Sequence, residues 1–158
     1  MPDITYRRSS AIDAEVVFDL VSASVRSLAP VPYSQDVVDT WMFGRVVQDY
    51  RQDCTNQAIW VAERDQRPIG FAHGVPGEII RLFVDEDCVG MGVGAELMQL
   101  ALQDALPNNA GKVTIEATVN AVPFYEKWGF ETVGLGFFSG RDKDLPPIKI
   151  VNLEKVFQ

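Results

Sequence analysis

The sequence has few of the residues on which metal and redox chemistry depend. Its 158 residues include two cysteines, Cys54 and Cys88, and one histidine, His73. A structural zinc ion takes four such ligands, usually at paired spacings along the chain. Three residues without paired spacing are too few, so we expect no metal site. Two free thiols are a simpler expectation than one disulfide.

Basic residues are also scarce. Lys and Arg number 14 against 22 Asp and Glu, which gives a formal net charge of −8 and an isoelectric point of about 4.6. Nucleic acids and anionic membrane surfaces bind clustered positive charge, so this balance argues against either as the main partner. It mildly favours a small cationic substrate, although an acidic composition more often serves only solubility.

Long apolar runs are absent. No stretch approaches the roughly 18 apolar residues that a transmembrane helix needs, and the first ten residues lack the apolar segment of a signal peptide. We therefore expect a cytoplasmic protein. The apolar fraction of 47% and the charged fraction of 23% are ordinary for a globular chain, and no repeat or linker interrupts it. Residues 1–158 are predicted to form a single domain.

Apolar spacing and turn residues divide the chain into strands and helices. The predicted elements are a strand at Ile4–Arg7, a helix from the Ser10–Asp13 capping box to about Leu28, a second helical stretch from Ser34 to about Tyr50, strands at Ala58–Glu63, Pro68–Gly74 and Glu78–Val84, a helix at Gly92–Leu106, a strand at Lys112–Val119, a short helix at Ala121–Trp128, and strands at Phe130–Gly140 and Ile148–Phe157 separated by a polar loop at Arg141–Pro147. This order predicts an α/β protein with a mixed sheet between helices.

Three glycines at alternate positions connect a predicted strand to a predicted helix. Gly90, Gly92 and Gly94 allow a sharp turn and expose backbone N–H groups at the positive end of the helix dipole. Such a loop can hold a pyrophosphate. The alternative is that the glycines only permit a tight turn and close packing. The G-x-G-x-G spacing, past the middle of the chain, does not match a dinucleotide fold, and no Gly-Lys-Ser/Thr follows for a Walker loop.

Two motifs in this order resemble the GNAT superfamily of N-acetyltransferases. The segment Glu78–Leu106 is similar to that family's acyl-CoA motif, with Gly92 and Gly94 at its two small positions. The segment Asn120–Phe130, which ends in F-Y-E-K-W-G-F, is similar to its second motif. The resemblance implies a mixed, mostly antiparallel central sheet flanked by helices, in the order β-α-α-β-β-β-α-β-α-β-β.

The resemblance also implies a function, which is transfer of an acetyl group from acetyl-CoA to an amine by direct attack. The acceptor would be a small molecule or a peptide, no metal would take part, and a homodimer is allowed. An alternative of another class is a catalytically inactive acyl-CoA-binding or regulatory module with the same fold.

The cofactor contacts implied by the resemblance lie on the central strand, the glycine loop and the second motif. They are the backbone at Phe83 and Val84 for the pantetheine arm, the loop residues Val89, Gly90, Met91, Gly92, Val93, Gly94 and Ala95 for the pyrophosphate, and Asn120. Asn120 could instead cap the helix that begins at Ala121. Val89 stands where the family usually has Arg or Gln, next to the carboxylates of residues 85–87.

Tyr125 is the catalytic residue that the resemblance implies. A phenol there would protonate the departing thiolate, and the alternative is a tyrosine that only packs. The general base is left open among Glu78, His73, Glu116 and an ordered water. An aromatic set, Tyr33, Trp41, Met42 and Trp60, is expected on the acceptor side, where cation–π contact with a charged acceptor competes with ordinary core packing. For Trp60, on a strand, core packing is favoured.

Overall fold

A computed structural model describes residues 3–138 and 147–158. Its strands and helices are β1 (Ile4–Arg8), α1 (Ala14–Arg26), α2 (Gln35–Met42), α3 (Gln48–Thr55), β2 (Ile59–Arg64), β3 (Arg67–Val75), β4 (Glu78–Val84), α4 (Val93–Ala105), β5 (Gly111–Ala117), α5 (Val122–Lys127), β6 (Glu131–Phe138) and β7 (Ile148–Phe157). The strands form one seven-stranded sheet in the order β1-β2-β3-β4-β5-β7-β6. The predicted fold class is confirmed.

The second predicted helical stretch, from Ser34 to about Tyr50, consists of two helices, α2 and α3. Ser34 caps α2 as expected, accepting a hydrogen bond from the Val37 N–H at 3.3 Å. Gly44 then takes a φ of +75°, which helical backbone does not allow, so the chain turns before α3 begins at Gln48. The polar loop predicted at Arg141–Pro147 lies almost entirely outside the described residues.

The sheet opens between its two central strands. Every other neighbouring pair is antiparallel, but β4 and β5 run parallel and pair only at Glu78 with Thr114 and at Ile79 with Ile115. Beyond Ile79 the two strands separate. Peptide groups at the edges of the gap therefore lack a partner strand and can form hydrogen bonds with a ligand.

A β-bulge in β4 accompanies this separation. Ile79 pairs with Gly74, but Arg81 pairs with His73, so Ile80 is an extra residue in β4. A bulge bends a strand and re-aims the side chains that follow it. Here it begins where β4 leaves β5.

Helices cover both faces of the sheet and bury two apolar clusters. One cluster lies under α4 and α5 and includes Leu97, Met98 and Cys88. The other lies under α1, α2 and α3 and includes Val17, Tyr50 and Cys54. Both cysteines are free, as expected. Within the described ranges, no helix is long and apolar enough to cross a membrane.

Candidate active site

The gap between β4 and β5 forms a cleft of about 230 Å³. Its walls come from both central strands, from α1 and α2 on one side and from α5 on the other. The lining residues are Val21, Trp41, Arg45, Glu78, Ile80, Arg81, Leu82, Phe83, Ile115, Glu116, Ala117, Thr118, Ala121, Tyr125 and Ile150. A ligand in this cleft would touch side chains from both halves of the sheet.

Peptide groups on one edge of β4 face the gap. The Asp85 N–H donates to the Ile69 carbonyl of β3 at 2.7 Å. Because hydrogen-bonded pairs alternate along antiparallel strands, Phe83 also directs its peptide groups toward β3, whereas Leu82 and Val84 direct theirs into the gap. These groups offer hydrogen bonds to an extended ligand.

The glycine loop forms an exposed turn at the start of α4. Gly90 and Gly92 have φ values of +91° and +81°, a region that favours glycine, and Gly92 is the N-cap of the helix. The first bond of the helix runs from the Glu96 N–H to the Gly92 carbonyl at 3.1 Å. The amides before Glu96 therefore have no helical acceptor and are suited to an anion.

Gly94 has a packing role within the same helix. A Cβ atom at this position would lie 3.3 Å from the Phe124 ring and 3.9 Å from Val84. The first turn of α4 therefore lies directly against α5 and the end of β4. Close packing, the alternative interpretation of the glycines, holds for Gly94, while Gly90 and Gly92 serve the turn.

Tyr125 lies on α5 at the wall of the cleft, with 6% of its surface exposed. Its ring packs edge-on against Phe124 at 5.2 Å and Phe130 at 6.3 Å between centroids. Its hydroxyl has no hydrogen-bond partner among the described residues. Burial raises the pKa of Tyr125 to about 12, so the phenol is neutral at physiological pH and remains a proton donor.

The predicted capping role of Asn120 is wrong. Asn120 lies exposed inside a 3-10 turn, Val119–Ala121, whose N-cap is Thr118, and Ala121 is the N-cap of α5. The 3-10 segment adds one turn before the helix, which sequence spacing did not reveal. Contact between Asn120 and a cofactor stays a prediction.

The structure places two of the candidate bases in the cleft and the third outside it. Glu78 and Glu116 line the cleft, and neither pairs with Lys127 or Arg81 within the described part of the chain. His73 is 3% exposed on β3 and is not among the cleft residues; its Nδ1 lies 4.0 Å from the Asp53 carboxylate. Burial lowers the pKa of His73 despite that carboxylate. The cleft therefore favours a glutamate, or a water held by one.

The aromatic set is divided between two places. Trp41 lines the cleft, and Tyr33 packs edge-on against it at 5.9 Å between centroids. The Tyr33 hydroxyl donates to the Lys149 carbonyl at 2.7 Å and accepts from the Val119 N–H at 3.1 Å. Trp60 packs against the core, the role favoured for it, and β2 directs it toward Arg8 and Asp104 rather than into the cleft.

Sequence reasoning missed two arginines of the cleft. Arg81 lies on β4, and Arg45 follows α2, where it donates to the Trp41 carbonyl at 2.8 Å and to the Tyr50 hydroxyl at 3.2 Å. A charged residue within the otherwise apolar run from Ile79 to Val84 was the signal for Arg81. The described ranges hold no cluster of three residues that could bind a metal ion.

Comparison with known proteins identifies the family. Residues 31–140 match the model of the acetyltransferase (GNAT) domain. That match covers most of the chain, so the protein belongs to the GNAT acetyltransferase family.

Two curated relatives are N-acetyltransferases by name. The uncharacterized N-acetyltransferase YafP of Escherichia coli is 25% identical over 134 residues, which are 84% of this chain and 85% of that protein. The peptidyl-lysine N-acetyltransferase YjaB of Salmonella typhimurium is 32% identical over 96 residues, 59% of this chain and 63% of that protein.

Solved structures share the fold. A GCN5-related N-acetyltransferase from Rhodopseudomonas palustris superposes with a TM-score of 0.79 at 23% identity, covering 97% of this chain and 95% of that one. The paiA N-acetyltransferase from Thermoplasma acidophilum, in complex with coenzyme A, gives a TM-score of 0.68 at 16% identity, with 98% and 99% covered.

Proposed function

We propose that this protein transfers an acetyl group from acetyl-CoA to an amine by direct attack. The observation that carries the proposal is Tyr125, a buried neutral phenol at the wall of the cleft between β4 and β5. A pure binding module has no need of a proton donor at that position. Family membership supports the same reaction class.

The residues present fit acetyl-CoA. The amides from Gly92 to Ala95 at the start of α4, which have no helical acceptor, suit the pyrophosphate, and the gap-facing peptide groups of Leu82 and Val84 suit the amides of the pantetheine arm. Phe83 lines the cleft beside them, but its peptide groups face β3, so Leu82 replaces Phe83 as the expected backbone contact. Val89, Gly90, Met91 and Asn120 remain predicted contacts. When bound, the thioester supplies an activated acetyl group.

Proton transfers at two positions would complete the reaction. As the new N–C bond forms and the C–S bond breaks, the Tyr125 hydroxyl gives its proton to the departing sulfur. The ammonium of the acceptor gives a proton to Glu116 or Glu78, directly or through a water. The attacking nitrogen loses its second proton to solvent as the amide forms, and the glutamate also returns its proton to solvent. Tyr125 regains a proton from solvent, so each turnover converts one ammonium and one thioester into one amide, one thiol and one released proton.

Direct attack is favoured over a covalent acyl-enzyme because neither cysteine is suited to act as a nucleophile. Cys54 and Cys88 are 0% and 1% exposed, and neither is a cleft residue. Burial raises the pKa of the Cys54 thiol to about 11, which suppresses the thiolate.

The test is Tyr125→Phe, assayed by free-thiol release from acetyl-CoA with a panel of amines. Phenylalanine keeps the packing against Phe124 and Phe130 and removes only the hydroxyl. Turnover should fall about 10²–10⁴-fold, the usual range for general acid–base catalysis, with acetyl-CoA affinity little changed.

The matched control is Tyr6→Phe. It removes the hydroxyl of a partly buried tyrosine on β1, outside the cleft, and should leave turnover unchanged. If Tyr125→Phe turns over at the wild-type rate while chemistry limits the reaction, Tyr125 only packs. If the wild type binds acetyl-CoA but acetylates no amine, the inactive binding module is the better interpretation.

A further inference from the structure

Arg81 is a partly buried cation on the wall of the cleft. The bulge at Ile80 re-aims the strand, and Arg81 then lies on the face covered by α1 and α3, with its guanidinium carbon 5.0 Å above the centre of the Tyr50 ring. This position is on the side of the cleft that α1 and α2 form, as is Arg45.

Arg81 differs from the arginines of β1 in its partners. Arg7 pairs with Asp13 and Glu63, and Arg8 holds both oxygens of Asp104 at 2.7 and 2.8 Å. Arg81 has no carboxylate within ion-pair distance among the described residues. Desolvation lowers its pKa in spite of the more distant acids of α3. A buried cation without a counter-ion is costly, and a ligand anion removes that cost.

The charged groups that face Arg81 come from several elements. Arg45 adds a second positive charge, and its guanidinium is held in place by the Trp41 carbonyl and the Tyr50 hydroxyl. Asp49 and Asp53 of α3 act on Arg81 only at longer range. His73 of β3 is nearby, and burial lowers its pKa and so favours its neutral form. Two guanidiniums on one wall form a receptor for a planar anion.

Glu78 and Glu116 lie in the same cleft, as does Tyr125. The cleft therefore offers carboxylates to an ammonium group and guanidiniums to an anion. One small molecule with both groups satisfies both sets, which a simple cationic amine does not.

We propose that Arg81, together with Arg45, binds a carboxylate of the acceptor, so that the acceptor is an amine carrying a carboxylate, such as a free amino acid. This inference rests on the proposed N-acetyltransferase function and names its substrate class. Arg81 is then a specificity residue, and a polyamine or an internal lysine side chain of a peptide is a poorer acceptor.

The experiment compares each amino acid with its own primary amide in the thiol-release assay. The two probes share the amine and the side chain and differ in the carboxylate. In the wild type, kcat/KM for the best acid should exceed that for its amide by about tenfold to hundredfold, the range of a hydrogen-bonded charge pair. Arg81→Gln should bring that ratio close to one through KM of the acid.

Two further variants separate specificity from folding. Arg81→Lys keeps a charge without the planar fork and should retain part of the preference. Arg67→Gln removes an exposed arginine at the start of β3 and should leave the ratio unchanged. A wild type that acetylates an acid and its amide equally well, or prefers a lysine peptide to both, overturns the inference and leaves the proposed function standing. So does an unchanged ratio in Arg81→Gln.

A binding measurement keeps the inference testable without turnover. N-acetylamino acids and their amides are titrated calorimetrically into the CoA-saturated protein. Tighter binding of the acid, lost in Arg81→Gln, supports the carboxylate site even if no amine is acetylated, in which case only the proposed function fails. Equal binding of acid and amide overturns the inference.

Discussion

Val89, where the resemblance to the family leads us to expect Arg or Gln, is exposed to solvent. Its side chain is 71% exposed, directly after a 3-10 turn that contains the exposed Glu86 and Asp87. Acyl-CoA is polyanionic, so these carboxylates repel it, and valine cannot offset the repulsion. A pyrophosphate held by this loop would depend on its backbone amides, with Arg64 the cation nearest the loop, its guanidinium 3.8 Å from the Met91 sulfur.

Val89→Arg should therefore tighten CoA binding, because a guanidinium pairs with phosphate. We expect a gain of about twofold to tenfold in affinity, equivalent to roughly 0.5–1.5 kcal/mol for a partly exposed charged hydrogen bond. Calorimetric titration of the folded variant with CoA measures it. Raised salt should also reduce the repulsion in the wild type.

The competing outcome is an arginine held by its own neighbours. Asp87→Asn, made alone and with Val89→Arg, separates the two cases. If neither the single nor the double variant binds CoA more tightly than the wild type, positive charge at this loop does not limit affinity.

At the level of elements, the turn into α4 depends on a backbone conformation that favours glycine. Gly92 has a φ of +81°, and a Cβ there would meet nothing within 4 Å, so the space is open and only the dihedral is restrictive. Gly92→Val costs on the order of 1–2 kcal/mol in the left-handed region or rotates the peptide out of it. We expect a folded protein without measurable CoA binding, checked by calorimetry and circular dichroism.

Gly77 is a matched control for this substitution. It lies in the turn between β3 and β4 with a φ of +86°, and the nearest atom to an added Cβ is the Lys112 carbonyl oxygen at 3.8 Å. Gly77→Val should lower stability by a similar amount and leave CoA affinity intact. Near-native affinity in Gly92→Val would show that the loop does not position the pyrophosphate.

Considered as a whole molecule, the sheet is two halves joined by a short parallel pairing. Strands β1–β4 and strands β5–β7 meet only at Glu78 with Thr114 and Ile79 with Ile115. A ligand in the gap would replace the missing strand-to-strand bonds. The amides of Leu82 and Val84 should therefore exchange hydrogen quickly in the free protein and more slowly with saturating acetyl-CoA.

Hydrogen exchange with and without acetyl-CoA measures this effect. The amide of Val61, in β2 between two paired strands, should exchange at the same rate in both states. Equal exchange of Leu82 and Val84 with and without the ligand would place the pantetheine arm elsewhere.

Much of the fold could be predicted from the sequence because its signals are local. Apolar alternation predicts β7 with the bounds found, Ile148–Phe157. Gly129, with a φ of +89°, directly follows the short helix and its C-cap Trp128. Ser10 and Asp13 begin the first helical segment as expected, with the Ser10 N–H bonded to the Asp13 carboxylate at 2.7 Å. Each of these features depends on residues a few positions apart.

The candidate site depended on pairings that no local pattern encodes. The register of β4 against β3 and β5 decides that Ile80 is extra, that the gap opens after Ile79, and that Arg81 shares a cleft with Tyr125. The same long-range packing removed Trp60 from the acceptor side. Sequence determined which residues could form helices, turns and an anion-binding loop, because neighbouring side chains and backbone dihedrals set those. Tertiary structure alone decided which charges meet across the cleft, because that depends on strand register and on helices packed from distant parts of the chain.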